Sequence, residues 1–206
     1  YGTPRSLPLT EDMAAWPCTN PYGTTKLVIE KLIEDAAAAY PLSAVMLRYF
    51  NPVGAHGSGL LGEAPCGVPN NLMPYITGVA SGRLDRLTVF GGDYPTRDGT
   101  GVRDYIHVTD LAQGHLAALD YCLEHDGAEP FNLGRGEGCS VLELICAFER
   151  VNGVKIPYTI ERRREGDVAQ SYAGVEKAFQ KLGWSARMSI DDMCRDTWRY
   201  VTASGG

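Results

Sequence analysis

Asn20-Pro21-Tyr22-Gly23-Thr24-Thr25-Lys26 opens a helix, and the segments after it set the fold. Pro21 suits a first helical turn. Leu27, Ile29, Leu32 and Ile33 make an apolar stripe, alanines fill 36–39, and Pro41 ends the helix. Ala44-Val45-Met46-Leu47-Arg48-Tyr49-Phe50 is then a mostly apolar run of strand length. A helix followed by a buried strand predicts an α/β chain with a doubly wound parallel sheet. The opening residues also place a phenol and an ammonium four positions apart, on one helix face. A free phenol has a pKa of about 10 and is a poor base at neutral pH; a fixed cation beside it favours the phenolate, by about 1.4 kcal/mol per unit. Tyr22 and Lys26 are therefore candidate catalytic residues. The spacing alone also fits a surface helix with a solvated lysine, since the chain has 11 tyrosines.

Composition sets the bounds. The 206 residues are 44% hydrophobic and 21% charged, enough for one large domain or two small ones with a sizeable core. A net charge of -6 argues against broad nucleic-acid binding, which needs a basic footprint. No apolar run approaches a membrane span. Cys18, Cys66, Cys122, Cys139, Cys146 and Cys194 include no Cys-x-x-Cys pair, so neither zinc nor redox chemistry is signalled. Without a secretory segment, free thiols in the cytoplasm are the expectation. His56, His107, His115 and His125 lack metal-ligand spacing, and no metal site is expected.

The remaining segments follow in order. Tyr1-Gly2-Thr3-Pro4 reads as a strand end, and proline-rich residues 3–21 as a loop. Asn51-Pro52-Val53-Gly54-Ala55 breaks the first strand at its carboxyl end, where open α/β sheets bind ligands. Asn70 and Asn71 open a helix to about Ser81 with Leu72, Met73, Ile76 and Val79 inward; Asn70 is a candidate N-cap, and the pair serves either capping or a ligand. Leu87–Gly91 and Arg103–Val108 read as strands, with a turn at Asp98-Gly99-Thr100-Gly101. A helix from about Thr109 to Glu124 has Leu111, Leu116, Ala118, Leu119 and Cys122 as candidate inward positions. A short strand spans 131–134, and Ser140-Val141-Leu142-Glu143 has capping-box spacing for a helix to about Val151. Residues 155–161 read as an exposed strand, and two helices close the chain. Arg162-Arg163-Arg164 is either a solvated charge cluster or a grip on diphosphate oxygens.

Four blocks, in this order, carry a resemblance: Leu47-Arg48-Tyr49-Phe50-Asn51-Pro52-Val53-Gly54-Ala55, Pro69-Asn70-Asn71-Leu72-Met73-Pro74-Tyr75, Gly99-Thr100-Gly101-Val102-Arg103-Asp104-Tyr105-Ile106-His107-Val108 and Arg163-Arg164-Glu165-Gly166-Asp167. Together with Tyr22 and Lys26 they resemble the UDP-hexose 4-epimerases of the extended short-chain dehydrogenase/reductase family. The resemblance covers essentially the whole chain, but only the C-terminal three-fifths or so of a family member. It implies a tightly held NAD and interconversion of UDP-glucose and UDP-galactose through a 4-keto sugar. On this resemblance Tyr22 removes the 4-hydroxyl proton, Lys26 lowers its pKa and binds the nicotinamide ribose, and Phe50 lies near the nicotinamide. Asn51, Asn71, Leu72, Phe90, Arg103, Arg164 and Asp167 match positions that bind the UDP-sugar. Arg103 and Arg164 hold the diphosphate and Asp167 the uridine ribose. Ser171 stands where a bulky tyrosine restricts the sugar pocket, so N-acetylated UDP-hexoses are expected to fit. The family partner is a second copy, met through the helix of Tyr22 and Lys26 and its neighbour.

The resemblance divides the chain. Residues 1–52 and 108–135 form part of an NAD-binding Rossmann-like domain, and residues 53–107 and 136–206 a smaller UDP-sugar-binding domain. The glycine-rich phosphate loop, the acidic residue for the adenosine ribose, and a serine or threonine expected before Tyr1 are not in the sequence. An N-acetylhexosamine 4-epimerase, a related nucleotide-sugar dehydratase, and a truncated UDP-sugar-binding module are the alternatives. A dehydratase carries an Asp-Glu pair at a position that would precede Tyr1. The 206 residues by themselves are expected to be poorly stable and inactive, which a turnover assay on the isolated chain checks.

Overall fold

The computed structural model describes residues 1–13, 18, 20–65, 67–69 and 71–204. The candidate cap Asn70 and the thiol of Cys66 lie outside the described residues. Among these the order is α1 (Pro21–Ala39), β1 (Ser43–Tyr49), β2 (Asn51–Val53), α2 (Leu72–Ala80), β3 (Leu87–Phe90), β4 (Val102–His107) and α3 (Val108–Glu124). Then come β5 (Gly127–Leu133), β6 (Gly138–Ser140), α4 (Val141–Asn152), β7 (Tyr158–Glu161), β8 (Gln170–Ser171), α5 (Glu176–Leu182) and α6 (Ile190–Ala203). Tyr1–Pro4 is loop rather than a strand end. No described helix is long and apolar enough to cross a membrane. The described cysteines 18, 122, 139, 146 and 194 are free thiols.

β1 and β5 pair in parallel, with Leu47 opposite Phe131. Strand alternation sends Val45 and Leu47 to one face and Met46 and Arg48 to the other. The first face packs with Phe131 and Leu133 against Leu111 and Tyr121 of α3, Ala178 and Leu182 of α5, and Trp184. The second face meets α1, where Arg48 reaches Glu30. Helices therefore cover both faces, the doubly wound arrangement expected from the helix-then-strand pattern. A second core lies around Met73, Ile76, Leu87, Val89, Leu144, Phe148 and Met193. There α4 packs on α6, with Phe148 edge-on to Trp198 at 5.8 Å.

Local chemistry starts and ends these helices. The Asn20 side chain accepts from Gly23 N at 2.8 Å and Pro21 occupies the first turn of α1. The capping box at Ser140 and Glu143 is present, and α4 ends on Gly153 in the left-handed region. Ser189 and Asp192 form a second box at the head of α6. These bonds hold the Asp192 carboxyl down to about 2, the Ser189 hydroxyl and backbone acting before Arg195.

Two amphipathic readings need correction. Nothing in α1 is buried, and Ile29 and Leu32 of the expected stripe are exposed. The half-buried line runs instead through Leu27, Glu30 and Ile33, because a charged contact to Arg48 faces the sheet. In α3, Leu116 and Leu119 are exposed, and Asp110, Gly114 and Ala118 point inward. A Cβ at Gly114 would come within 2.8 Å of Leu133, so only the residue without a side chain permits this close approach. Asp110 is satisfied there by Arg187 N and Met188 N, at 2.9 and 2.8 Å.

β4 is the junction between the two halves. It pairs in parallel with β2, antiparallel with β6 and in parallel with β8. The buried Asp104 carboxylate accepts from Arg135 N at 2.9 Å, Gly136 N at 3.0 Å and Ala173 N at 3.1 Å. Burial nevertheless pushes its carboxyl above the usual range, against these three donors. His107 is fully buried and accepts from Thr109 N through Nδ1 at 3.0 Å, capping α3.

Two stability outcomes follow for the natural protein that carries this chain. Asp104→Asn turns an amide NH₂ toward at least one of three backbone donors and costs about 2–4 kcal/mol in urea unfolding. Gly54 has φ +92 and a Cβ there would lie 2.7 Å from the His107 ring. Gly54→Ala is expected to cost at least about 2 kcal/mol in the same measurement.

Candidate functional site

The carboxyl ends of β2 and β3, the start of α2 and the 164–167 turn surround a cavity of about 390 Å³. Asn51, Asn71, Leu72, Phe90, Arg103, Arg164 and Asp167 all line it. Far apart in sequence, these residues meet because β4 carries Arg103 between β6 and β8 and pairs with β2 two residues later, while β3 pairs with β7 just before the arginine run.

Each wall has a distinct chemistry. Arg103 Nη1 donates to Val102 O and Val168 O, both at 2.9 Å, and Nη2 lies 3.7 Å from Asp167 Oδ1. The guanidinium thus props the 167–168 loop while keeping part of its fork toward the cavity. Arg164 lies over Phe90, with Cζ 3.8 Å from the ring centroid. The neighbouring Arg163 is spoken for, ion-paired to Asp93 at 2.7 Å and stacked on Tyr94 at 4.2 Å. The arginine run therefore divides: one guanidinium builds the wall and the next is presented to the cavity. Asn71 precedes α2 at the cap position, but its side chain makes no capping bond; its Nδ2 donates to Glu63 at 3.4 Å. Burial pushes the Tyr105 phenol well up, so this wall residue stays neutral.

Arg86 and Tyr94 also line the cavity, though nothing in their spacing marks them. The strand pairing alone brings them there. Ser171 is not on the cavity lining, but it stands opposite Arg103 in the β4–β8 register.

Tyr22, Lys26 and Phe50 form a separate group. Lys26 Nζ lies 5.1 Å from the centroid of the Tyr22 ring, as i,i+4 spacing requires. Tyr22 is 72% exposed. Glu30 meets Arg48 next to the end of β1, so the turns before Glu30, with Tyr22 and Lys26, extend past the carboxyl end of the strand. Phe50 emerges at that same end, its N–H bonded to Leu133 O at 3.0 Å and its ring stacked on Tyr1 at 6.3 Å. An unburied phenol, an ammonium and an aromatic ring at the carboxyl end of a parallel sheet fit the nicotinamide end of a dinucleotide. Among the described residues, no group of three or more His, Cys, Asp or Glu could hold a metal ion.

The chain is similar to known proteins over nearly its whole length. UDP-glucose 4-epimerase of Bacillus subtilis is 52% identical over 205 residues, 99% of this chain and 60% of the relative. The mouse enzyme of the same name is 55% identical over 201 residues, 97% of this chain and 58% of the relative. The chain thus spans about 60% of the length of the curated relatives it matches. A Bifidobacterium longum UDP-glucose 4-epimerase solved with NAD+ and UDP superposes with a TM-score of 0.94 at 52% identity, covering 100% of this chain and 61% of the other. A Stenotrophomonas maltophila enzyme, solved with NAD and formylated UDP-arabinopyranose, gives 0.95 at 52% identity, covering 99% and 61%. Residues 1–197 match the family model described as GDP-mannose 4,6 dehydratase, and the chain belongs to that family, within the extended short-chain dehydrogenase/reductases.

Proposed function

We propose that this chain supplies the UDP-sugar site and the proton-transfer pair of a UDP-glucose 4-epimerase. The observation that carries the reading is the convergence of seven separately encoded residues, two of them arginines, on one cavity. Arg103 and Arg164 hold the diphosphate through charge-assisted hydrogen bonds. Asp167 accepts from the uridine ribose, and Asn51, Asn71, Leu72 and Phe90 complete the walls. Tyr22 takes the proton of the sugar 4-hydroxyl as C4 becomes a ketone, and returns it after the ring has turned. Lys26 keeps a positive charge beside the ring on which negative charge develops. NAD, when bound, accepts the C4 hydride and gives it back to the opposite face. Tyr22, Lys26 and Phe50 would hold its nicotinamide end. A firm grip on the nucleotide leaves the hexose free to rotate between the two transfers.

The same reading divides the chain into residues 1–52 and 108–135, a partial Rossmann-like unit, and residues 53–107 and 136–206, the UDP-sugar-binding unit. Two separate cores support two units, although Ile106, α5 and Trp184, which these bounds place in the second unit, pack with Phe131 and Leu133 in the core of the first. Exposed Val28, Ile29 and Leu32 on α1 support association of two copies through that helix. Free thiols support a cytoplasmic setting.

Calorimetric titration of UDP into the natural protein tests the site. Arg164→Ala is expected to weaken UDP binding by roughly 10–100-fold, and Phe90→Leu by about threefold through loss of the stacked guanidinium. Unchanged affinity in Arg164→Ala contradicts the assignment. Ser171 lies outside the cavity lining but opposite Arg103 in register, and on the family resemblance a small side chain there leaves room for an acetamido group. Ser171→Tyr is expected to abolish epimerisation of UDP-N-acetylhexosamines and spare UDP-galactose; equal loss of both rejects this role.

A further inference from the structure

The helix that carries Tyr22 and Lys26 is weakly attached by apolar contact. None of its residues is buried, and Val28, Ile29 and Leu32 face outward. Its best-defined tie is ionic. Arg48 Nε donates to Glu30 Oε1 at 2.7 Å and Nη2 to Glu30 Oε2 at 2.6 Å, a bidentate pair. The side chains are only 16% and 17% exposed. Such a pair fixes orientation as well as distance.

Arg48 is engaged on its other side too. Nη1 donates to Glu11 O at 2.7 Å and to the Tyr1 hydroxyl at 3.2 Å. The Tyr1 hydroxyl donates to Asn132 Oδ1, and its ring stacks on Phe50. Asn132 is fully buried; its Nδ2 donates to Leu9 O at 2.8 Å and to Gly174 O at 3.3 Å. Leu9 bridges Ala173, which donates to Asp104. A continuous polar chain thus runs from Glu30 on α1, through Arg48, Tyr1 and Asn132, to the segment after Ser171 and to β4. Arg48 is the point where α1 joins it.

We propose that Arg48 is a positioning residue: its guanidinium sets where α1 lies along β1, and so where Tyr22 and Lys26 stand relative to Phe50 and the sugar cavity. This rests on the epimerase reading above. Arg48 does not line the cavity, so its loss should move the proton-transfer pair without disturbing the uridine diphosphate grip.

The test uses Arg48→Met, Arg48→Lys and Glu30→Gln in the natural protein. Three quantities are read: kcat and KM with UDP-galactose, UDP affinity, and backbone hydrogen exchange across residues 24–36. Arg48→Met is expected to lower kcat at least about tenfold, since small misplacements of a reacting group carry such penalties. KM and UDP affinity should stay within about twofold, while α1 exchanges faster and α4 and α6 do not. Arg48→Lys, keeping the charge but not the fork, should recover part of kcat. Glu30→Gln should act in the same direction and decides the matter if Arg48→Met fails to fold. Unchanged kcat, UDP affinity falling in step with kcat, or unaltered exchange in α1 each overturn the proposal. If the unmodified protein neither binds UDP nor turns over, the epimerase reading fails, and exchange in α1 alone judges the anchoring role.

Discussion

A single buried carboxylate organises the middle of this molecule. Asp104 sits on β4 and accepts from the backbone at residues 135, 136 and 173. Those donors belong to the turn after β5 and the stretch after β8. Removing a carboxylate from water is costly, and it persists here because strong donors satisfy it. The effect is geometric: three segments distant in sequence are held at one strand. Arg103 and Tyr105, flanking Asp104, are thereby aimed at the cavity, and His107 is left to cap α3 and back the loop at Gly54. The residue that places these cavity-facing side chains is itself off the cavity lining.

Much of this was legible in the sequence. Helix starts with explicit local chemistry were read well: Pro21 in the first turn of α1, and the capping box of Ser140 and Glu143, depend little on the rest of the chain, while the Asn20 cap was not foreseen. The cavity residues came from the family resemblance rather than periodicity; six of the seven lie in its motif blocks and Phe90 lies outside them, and the structure gathers all seven on one lining. The choice of helix face was only partly right. On α1 and α3, Leu27, Ile33, Leu111, Ala118 and Cys122 are half-buried or buried as expected, but Ile29, Leu32, Leu116 and Leu119 are exposed. Half-buried Glu30 and buried Asp110 and Gly114 take inward places instead, through partners elsewhere: Arg48, the backbone at 187–188, and Leu133. No local pattern encodes such partners. Asn71 taught a related lesson, since it occupies the cap position and its side chain turns to Glu63 instead.

The two groups of functional side chains differ in how they are held. The cavity walls are braced by strand pairing, by the Arg103 bonds to backbone carbonyls and by Arg164 lying on Phe90. The Tyr22–Lys26 end of α1 is exposed, and the best-defined tie of that helix among the described residues is the Arg48–Glu30 ion pair. On the proposed function, a braced nucleotide site beside a more lightly fastened helix suits a reaction in which the nucleotide stays put and the sugar turns. The chain covers about 60% of the length of the curated relatives it matches.

The most direct measurement supplies UDP-galactose to the natural protein and follows the configuration at C4 by NMR. The account predicts UDP-glucose accumulating to an equilibrium mixture, with no external oxidant or reductant consumed, and Tyr22→Phe abolishing inversion while UDP still binds. Tight UDP binding with C4 left unchanged would contradict it, and would leave the chain a nucleotide-sugar-binding module without the proton-transfer chemistry assigned to Tyr22 and Lys26.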